Sequence, residues 1–339
     1  MTYTLEDISI VIPVYNGQET LVRCLNSFSD IRTEVKEVVI VDDGSSDKTP
    51  EIAKFFVDET GGKVKYIRLS SNQGSAGSRN AGIMNSSGKL LVFLDADDEI
   101  IPGALRESLR EFAADADLLV GGILLLHSQS GQVLGEEVFL PDRRTPKKEL
   151  LLDYLLQTRC FSRVIYRRDF IVENGISFFP TKVQIGAPFF NLDDYFFQLE
   201  TLLYATTLAF SNKSFYKYYL VPSDRKRYRE QSEFFHLGYE MLLSRFEISR
   251  LNRSFSEDRI RLVFGSASKQ LIQCAIEVRG FKTLRLSTKI FKLLARSPIS
   301  PTLKIRRGTE SLFSFAKVNF GIRSKMHRSL GFLRNQLFK

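Results

Sequence analysis

The sequence has no tryptophan, three histidines and three cysteines among its 339 residues. Cys24, Cys160 and Cys274 lie far apart and are odd in number, so they match neither a disulfide framework nor a paired zinc motif. We expect all three to be reduced, structural residues. Because imidazoles are also scarce, any metal is expected to be bound by carboxylates and to be a hard cation.

Long hydrophobic runs are missing as well. The longest apolar segment, Leu118 to Leu126, is far shorter than the roughly 20 residues that a membrane span needs. Glu6 and Asp7 occupy positions where a signal peptide carries positive charge. We therefore expect a cytoplasmic chain without a membrane span. Its 43% hydrophobic content is enough for a sizeable core and excludes a disordered protein.

Charge is divided unevenly along the chain. Residues 241–339 contain 21 Lys and Arg against 5 Asp and Glu, whereas residues 1–240 contain 27 against 34. Such asymmetry indicates contact with an anionic partner, either a nucleic acid or a membrane surface, or else a solvated basic helical face. No RNA-binding motif is present, so a nucleic acid is disfavoured.

The end of the chain has the pattern of a basic amphipathic helix. From Leu312 to Phe338, apolar residues recur at helical spacing between lysines and arginines. Such a segment can lie on an anionic membrane surface as a peripheral anchor. It can equally pack against the rest of the protein or another subunit, and the pattern leaves both open.

The first 130 residues alternate apolar, β-branched runs with amphipathic segments, which predicts βαβ units. Predicted strands cover residues 9–16, 37–43, 64–70, 90–94 and 117–126. Ser45 or Ser46 is predicted to cap the helix after the second strand, and a further helix is predicted from Pro102 to about Ala114. The fold class is therefore α/β, Rossmann-like, with a mostly parallel central sheet flanked by helices. Parallel sheets bind ligands beyond the carboxyl ends of their strands.

Three carboxylates directly follow one apolar strand. Asp95, Asp97 and Asp98 crowd a single turn, where their mutual repulsion is costly unless a cation compensates. Carboxylates, water and phosphate oxygens are ligands that Mg²⁺ and Mn²⁺ prefer. The pattern favours a metal site, and the alternative is an acidic cap on the helix that begins at Pro102.

A second acidic pair, Asp42 and Asp43, ends another strand of the predicted sheet. A carboxylate there suits a base edge or a ribose hydroxyl of a nucleotide, and the alternative is helix capping. In the glycine-rich loop from Asn72 to Gly82, the backbone can approach a ligand closely. Arg79 in that loop can reach a phosphate or bind a strand-end acid.

Four motifs in one order carry a family resemblance: SIVIPVYNGQETLVRCLNS, VDDGSSDKT, NQGSAGSRNAGI and GKLLVFLDADDEI. Over roughly residues 8–125 the chain resembles the nucleotide-sugar-dependent glycosyltransferases of family 2. The resemblance implies the GT-A fold, inverting sugar transfer and a divalent cation, Mg²⁺ or Mn²⁺. It implies a donor site made of Pro13, Tyr15, Asp42, Asp43, Asn72, Arg79, Asp95 and Ala96, with Asp95, Asp97 and Asp98 as candidate metal ligands.

One later motif matches the general base of the family. In NLDDYFFQ, Asp193, Asp194 and Phe197 have the family's arrangement, with Asp193 in place of the usual Glu. The resemblance implies that Asp194 is the catalytic base, whereas alone the pair reads as a helix N-cap and first-turn acid. We expect burial among Phe189, Phe190, Phe196 and Phe197 to raise the pKa of Asp194.

The predicted organisation is a GT-A domain over residues 1–235 and a basic helical region over 236–339. Residues 1–125 are assigned to the nucleotide-sugar half of the domain and residues 126–235 to the acceptor half. The predicted activity is inverting transfer from a nucleoside-diphosphate sugar, with UDP favoured, to a saccharide or lipid-linked saccharide in bacterial-type surface glycan synthesis. The alternatives are a non-catalytic nucleotide-sugar-binding protein and a nucleic-acid-binding or scaffold protein that uses the basic tail.

Overall fold

The computed structural model describes residues 2–138, 161–179, 193–220 and 235–249, with positions 260, 263, 264 and 267. The chain divides into two compact units, Met1–Phe255 and Ser256–Lys339. The first unit contains all the helices and strands whose bounds follow, and it continues past the predicted boundary near residue 235. The amphipathic pattern from Leu312 to Phe338 lies outside the described residues.

Strands and helices alternate through the first half of the chain, as the sequence predicts. The strands are β1 (Ile8–Val14), β2 (Glu37–Asp42), β3 (Val64–Arg68), β4 (Leu90–Phe93), β5 (Glu99–Ile100), β6 (Leu118–His127), β7 (Val133–Glu137), β8 (Val164–Arg167) and β9 (Leu208–Leu220). The helices are α1 (Leu21–Asn26), α2 (Thr49–Glu59), α3 (Gly74–Asn85), α4 (Pro102–Glu111), α5 (Arg168–Glu173), α6 (Asp193–Tyr204) and α7 (Phe235–Ser249). Among these helices none combines the length and the apolar character that crossing a bilayer requires.

The described strands form one sheet in the order β3-β2-β1-β4-β8-β6-β9-β5, with β7 paired to β6. Strands β1 to β4 pair in parallel, as βαβ units require. Beyond β4 the sheet is mixed, because β8 runs antiparallel to both β4 and β6, while β6 and β9 are parallel. The sheet is therefore parallel where the sequence alternates strands and helices, and mixed where that alternation stops.

The core lies on both faces of the parallel half. Every residue of β1, β2 and β4 is buried, which explains why these strands are apolar almost throughout. Helix α3 lies directly against β1, since a methyl group on Gly82 would overlap the side chain of Val11. Only glycine permits this approach, and α3 is held close to the sheet as a result.

The start of α2 differs from the prediction that Ser45 or Ser46 caps it. The N-cap position is Lys48, and the Asp47 carboxylate accepts the first helical N–H at 3.0 Å. The hydroxyl of Ser45 instead accepts the Asn16 N–H at 2.9 Å, and the Ser46 N–H donates to the Asn16 side chain at 2.9 Å. The two serines therefore join the ends of β1 and β2.

Candidate active site

The predicted donor-site residues lie at one edge of the sheet, because the carboxyl ends of parallel β1, β2 and β4 meet there. Pro13 is buried in β1, whereas the side chain of Tyr15 is 51% exposed just beyond the end of that strand. Ala96, in the turn after β4, is half-buried against the core. An exposed aromatic ring beside buried strand ends is suited to stack on the nucleobase of a nucleotide.

Asp42 is fully buried, and its hydrogen bonds stabilise this edge of the sheet. Its carboxylate accepts the Ser45 N–H at 2.8 Å and the Tyr66 hydroxyl at 2.6 Å, and Arg68 lies 3.9 Å away. Desolvation and the Asp42 carboxylate raise the pKa of Tyr66, so the phenol remains a donor. Asp42 thereby attaches the turn that follows β2 to the neighbouring strand β3.

Asp43 connects the end of β2 to the start of α3. Its two carboxylate oxygens accept the backbone N–H groups of Gln73 and Gly74, at 2.6 and 2.7 Å. The Asn72 side chain also accepts the Gly74 N–H, at 3.2 Å. Gly74 has a φ of 78°, a conformation that favours glycine. The glycine at this position therefore allows the backbone to turn into α3 while its N–H faces Asp43.

The turn after β4 is held by the aromatic strand β9. The hydroxyl of Tyr216 accepts the Asp95 N–H at 3.2 Å and donates to the Asp98 carboxylate at 2.7 Å. The other Asp98 oxygen accepts the Tyr219 N–H at 2.8 Å, and Asp98 is buried. Asp98, predicted as a candidate metal ligand, is thus directed into the protein and supports the turn from within.

The remaining candidate metal ligands fit a hard cation better. Asp97 is exposed and has no ion-pair partner in the part of the chain that the structure describes. Although Asp97 reaches solvent, the protein packed around its carboxylate desolvates it in part. This desolvation, and next the charge of Asp95, raise the pKa of Asp97, a penalty that a bound cation would relieve. No cluster of three metal-binding side chains occurs among the described residues. Two carboxylates suit Mg²⁺ or Mn²⁺, which keep several water ligands.

Arg79, on α3, brings together acids from two separate elements. Its Nη2 donates to Asp95 Oδ1 at 2.8 Å, in the turn after β4. Its Nη1 donates to Asp193 Oδ2 and Asp194 Oδ1, both at 2.9 Å, at the start of α6. Ser75 also donates to Asp193, at 2.8 Å. Of the two options that the sequence leaves open for Arg79, the structure shows the contact with acids.

The carboxylates of this cluster are electrostatically unbalanced. Desolvation raises the pKa of Asp194 well above its usual range; the Arg79 charge opposes this, and Asp193 and Asp95 add to it. Desolvation likewise raises the pKa of Asp193, again against the Arg79 charge. One guanidinium faces three carboxylates here, so the site is a region of excess negative charge.

Aromatic side chains form the floor under this cluster. The ring of Phe161 lies 4.4 Å from the Arg79 guanidinium and that of Phe178 lies 5.3 Å from it. Phe196 and Phe197 are buried, as predicted, and Phe197 stacks on Phe178 at 3.8 Å. The other two phenylalanines predicted near Asp194, at positions 189 and 190, lie outside the described residues. Sequence reasoning missed Phe161 and Phe178, for which no motif gives a signal.

Comparison with known proteins matches part of the sequence to one family. Residues 9–175 match the family described as Glycosyl transferase family 2. The uncharacterized glycosyltransferase YibD of Escherichia coli (strain K12) is 28% identical over 294 residues, which cover 82% of this chain and 80% of YibD. The succinoglycan biosynthesis protein ExoO of Rhizobium meliloti (strain 1021) is 36% identical over 118 residues, 34% of this chain and 33% of ExoO.

A solved structure has the same fold. The crystal structure of Staphylococcus aureus TarS 1-349 in complex with UDP-GlcNAc superposes with a TM-score of 0.61 at 19% sequence identity. The match covers 86% of this chain and 82% of that chain. The similarity confirms the predicted GT-A fold, with its curled α/β sheet and flanking helices.

Proposed function

The chain belongs to glycosyl transferase family 2, and from this we infer that it transfers a sugar, with inversion, from a nucleoside-diphosphate sugar to a saccharide or lipid-linked saccharide. Its relatives include proteins of bacterial glycan synthesis, such as ExoO. One observation carries the proposal: Arg79 holds Asp194, the candidate base, together with Asp95, in the turn after β4, at the sheet edge where a donor would bind.

A UDP-sugar is the donor that we propose. Support comes from the likeness to TarS, whose crystal structure contains UDP-GlcNAc. The exposed ring of Tyr15 would cover one face of the base, and the loop held by Asp43 and Asn72 would border the ribose. The sugar would then extend toward Asp95 and Asp194.

Asp97, assisted by Asp95, would hold the divalent cation. A cation bound there supplies charge neutralisation for the leaving diphosphate. Asp98 is no longer among the proposed ligands, because its two oxygens accept hydrogen bonds from Tyr216 and Tyr219. Its contribution is to keep the turn in the shape that presents Asp97.

Asp194 would take the proton of the acceptor hydroxyl as the new bond forms. A carboxylate with a pKa near 4 is a weak base, and a raised pKa brings it closer to the pH at which the enzyme works. Desolvation at the start of α6 raises the pKa of Asp194 in this way, while the Arg79 contact favours the ionised form that a base needs.

A peripheral membrane contact of the basic segment 241–339 is the further part of this proposal. Its excess of Lys and Arg supports attraction to anionic lipid, at about 1 kcal/mol for each cation near the surface. The full chain is expected to sediment with vesicles that contain anionic lipid and not with neutral vesicles. Equal sedimentation with both would contradict the electrostatic attachment.

The donor experiment incubates the protein with Mg²⁺ or Mn²⁺ and a panel of UDP-, GDP- and dTDP-sugars. Release of nucleoside diphosphate and thermal stabilisation are followed, with Asp97→Ala in parallel and Asp58→Ala, an exposed aspartate of α2, as the matched control. We expect metal-dependent stabilisation by UDP-sugars that Asp97→Ala loses and Asp58→Ala keeps. If no nucleotide binds with either metal, the transferase proposal fails.

A further inference from the structure

The role of Arg79 follows from where its guanidinium points. We propose that Arg79 is a positioning residue, which holds the Asp194 carboxylate at a fixed place relative to Asp95 and does not bind the diphosphate of the donor. The inference rests on the proposed function and concerns the same site. It gives the site a rigid link between the element that receives the donor and the element that activates the acceptor.

The geometry of the contacts supports a link between two elements. The Nη2 end of the guanidinium is directed at Asp95, in the turn after β4, and the Nη1 end at Asp193 and Asp194, at the start of α6. Because the guanidinium is planar and rigid, its two ends fix the distance and angle between the acids that they bind. A lysine at position 79 would supply a charge without this fixed geometry.

Burial argues against phosphate binding by Arg79. The residue is 5% exposed, and the rings of Phe161 and Phe178 lie on its guanidinium. Three of its five N–H groups already donate to carboxylates, and its Nε is buried, so a phosphate that approached the terminal nitrogens would compete with these acids. Three carboxylates around one cation also leave net negative charge, which repels a diphosphate.

The backbone that carries Arg79 is itself fixed at several points. Helix α3 begins where the Asp43 carboxylate accepts the Gln73 and Gly74 N–H groups. Farther along the helix, Gly82 packs against Val11 of β1. A side chain that has to hold two other elements in register needs such a support, since its own position sets theirs.

The test separates turnover from donor binding in Arg79→Lys. With the donor identified by the panel, we expect kcat for nucleoside diphosphate release to fall at least about 10-fold, while the Kd for UDP, measured by calorimetry, stays within about 3-fold. Guanidinium chloride at millimolar concentration is expected to restore part of the turnover of Arg79→Ala. Arg167→Lys is the matched control. Arg167 forms an ion pair with Asp117, with 2.6 Å between Nη2 and Oδ1, and this pair lies outside the site.

A rise in Kd for UDP that matches the loss of kcat/KM would overturn the inference and assign Arg79 to the phosphates. If neither Arg79 variant folds, as judged by circular dichroism, a crystal structure of the wild type with UDP and Mn²⁺ decides. We expect the guanidinium to keep its hydrogen bonds to Asp95 and Asp194; a guanidinium turned to the diphosphate would overturn the inference. No donor binding by the wild type would instead overturn the proposed function itself.

Discussion

Two pairs of adjacent aspartates, Asp42–Asp43 after β2 and Asp193–Asp194 at the start of α6, differ in what surrounds them. The first pair accepts hydrogen bonds from backbone N–H groups and a tyrosine hydroxyl. The second pair shares a single nitrogen of Arg79, and Asp193 also accepts the Ser75 hydroxyl. Asp193 Oδ1 is buried and has no hydrogen-bond partner among the described residues. Similar sequences thus serve two different ends in one molecule.

The difference separates acids that build the site from acids that act in it. Carboxylates satisfied by neutral donors stabilise a loop and gain little from a ligand. Carboxylates that are desolvated and crowded keep a raised pKa, which is the usual state of groups that exchange protons or bind cations. Chemistry is therefore expected from the α6 pair, and architecture from the β2 pair.

The largest effect is expected from Asp194→Asn. The amide cannot accept a proton, so kcat should fall by about 10³-fold, within the range typical of general base catalysis. The Kd for UDP, measured by calorimetry, should change little, and Asp58→Asn, at an exposed position of α2, should leave both kcat and Kd unchanged. Simultaneous loss of donor binding and folding would show that Asp194 is structural, like the β2 pair.

The second prediction is the pH dependence of turnover. Because only ionised Asp194 can act as a base, kcat should decline as the pH falls through its pKa, which lies well above the usual 3.8. The negative charge of Asp193 contributes to that raised pKa, so Asp193→Asn should move the acidic limb to lower pH. A pH–rate profile of the wild type and of Asp193→Asn measures this. A shift of the acidic limb to higher pH in the variant would contradict Asp194 as the base.

The third prediction compares the free energies of unfolding of two variants by urea denaturation. Asp43→Ala leaves two N–H groups at the start of α3 without their acceptor and should lower stability by about 2 kcal/mol. Asp193→Asn removes a charge from a crowded, buried cluster and should cost less or stabilise the protein. The reverse order would erase the distinction between the two pairs.

The smallest effect is expected from Tyr216→Phe. Loss of the hydroxyl that joins Asp95 and Asp98 should weaken the turn that presents Asp97 by about 1 kcal/mol. If all of that loss falls on Mn²⁺ binding, activation by Mn²⁺ weakens roughly 5-fold. Activation curves of nucleoside diphosphate release against Mn²⁺ concentration test this. Tyr218→Phe, a more exposed tyrosine of the same strand, is the control. An unchanged activation curve would show that the Tyr216 hydroxyl of β9 does not hold the turn after β4 in its metal-binding shape.

Much of the fold could be predicted from sequence because its signals are local. Apolar runs predict β1, β2 and β4, which the structure contains. Motif order predicts one site for Asp43, Asp95 and Asp194, and the structure joins Asp95 to Asp194 through Arg79. Contacts between distant segments could not be predicted. Asp98 looked like a metal ligand because nothing nearby shows that its partner Tyr216 lies 118 residues further along the chain. The choice between phosphate and acid for Arg79 likewise depended on the placement of α6.

The contact between Gly82 and Val11 restricts which sequences this site can tolerate. A side chain at position 82 would overlap Val11, so α3 or β1 would have to shift, and Arg79 lies less than one turn earlier on the same helix. Its hydrogen bonds of 2.8 to 2.9 Å could not all persist after such a displacement. The activity therefore depends on glycine at position 82, although this residue has no functional group. Engineering of this scaffold should leave Gly82 unchanged.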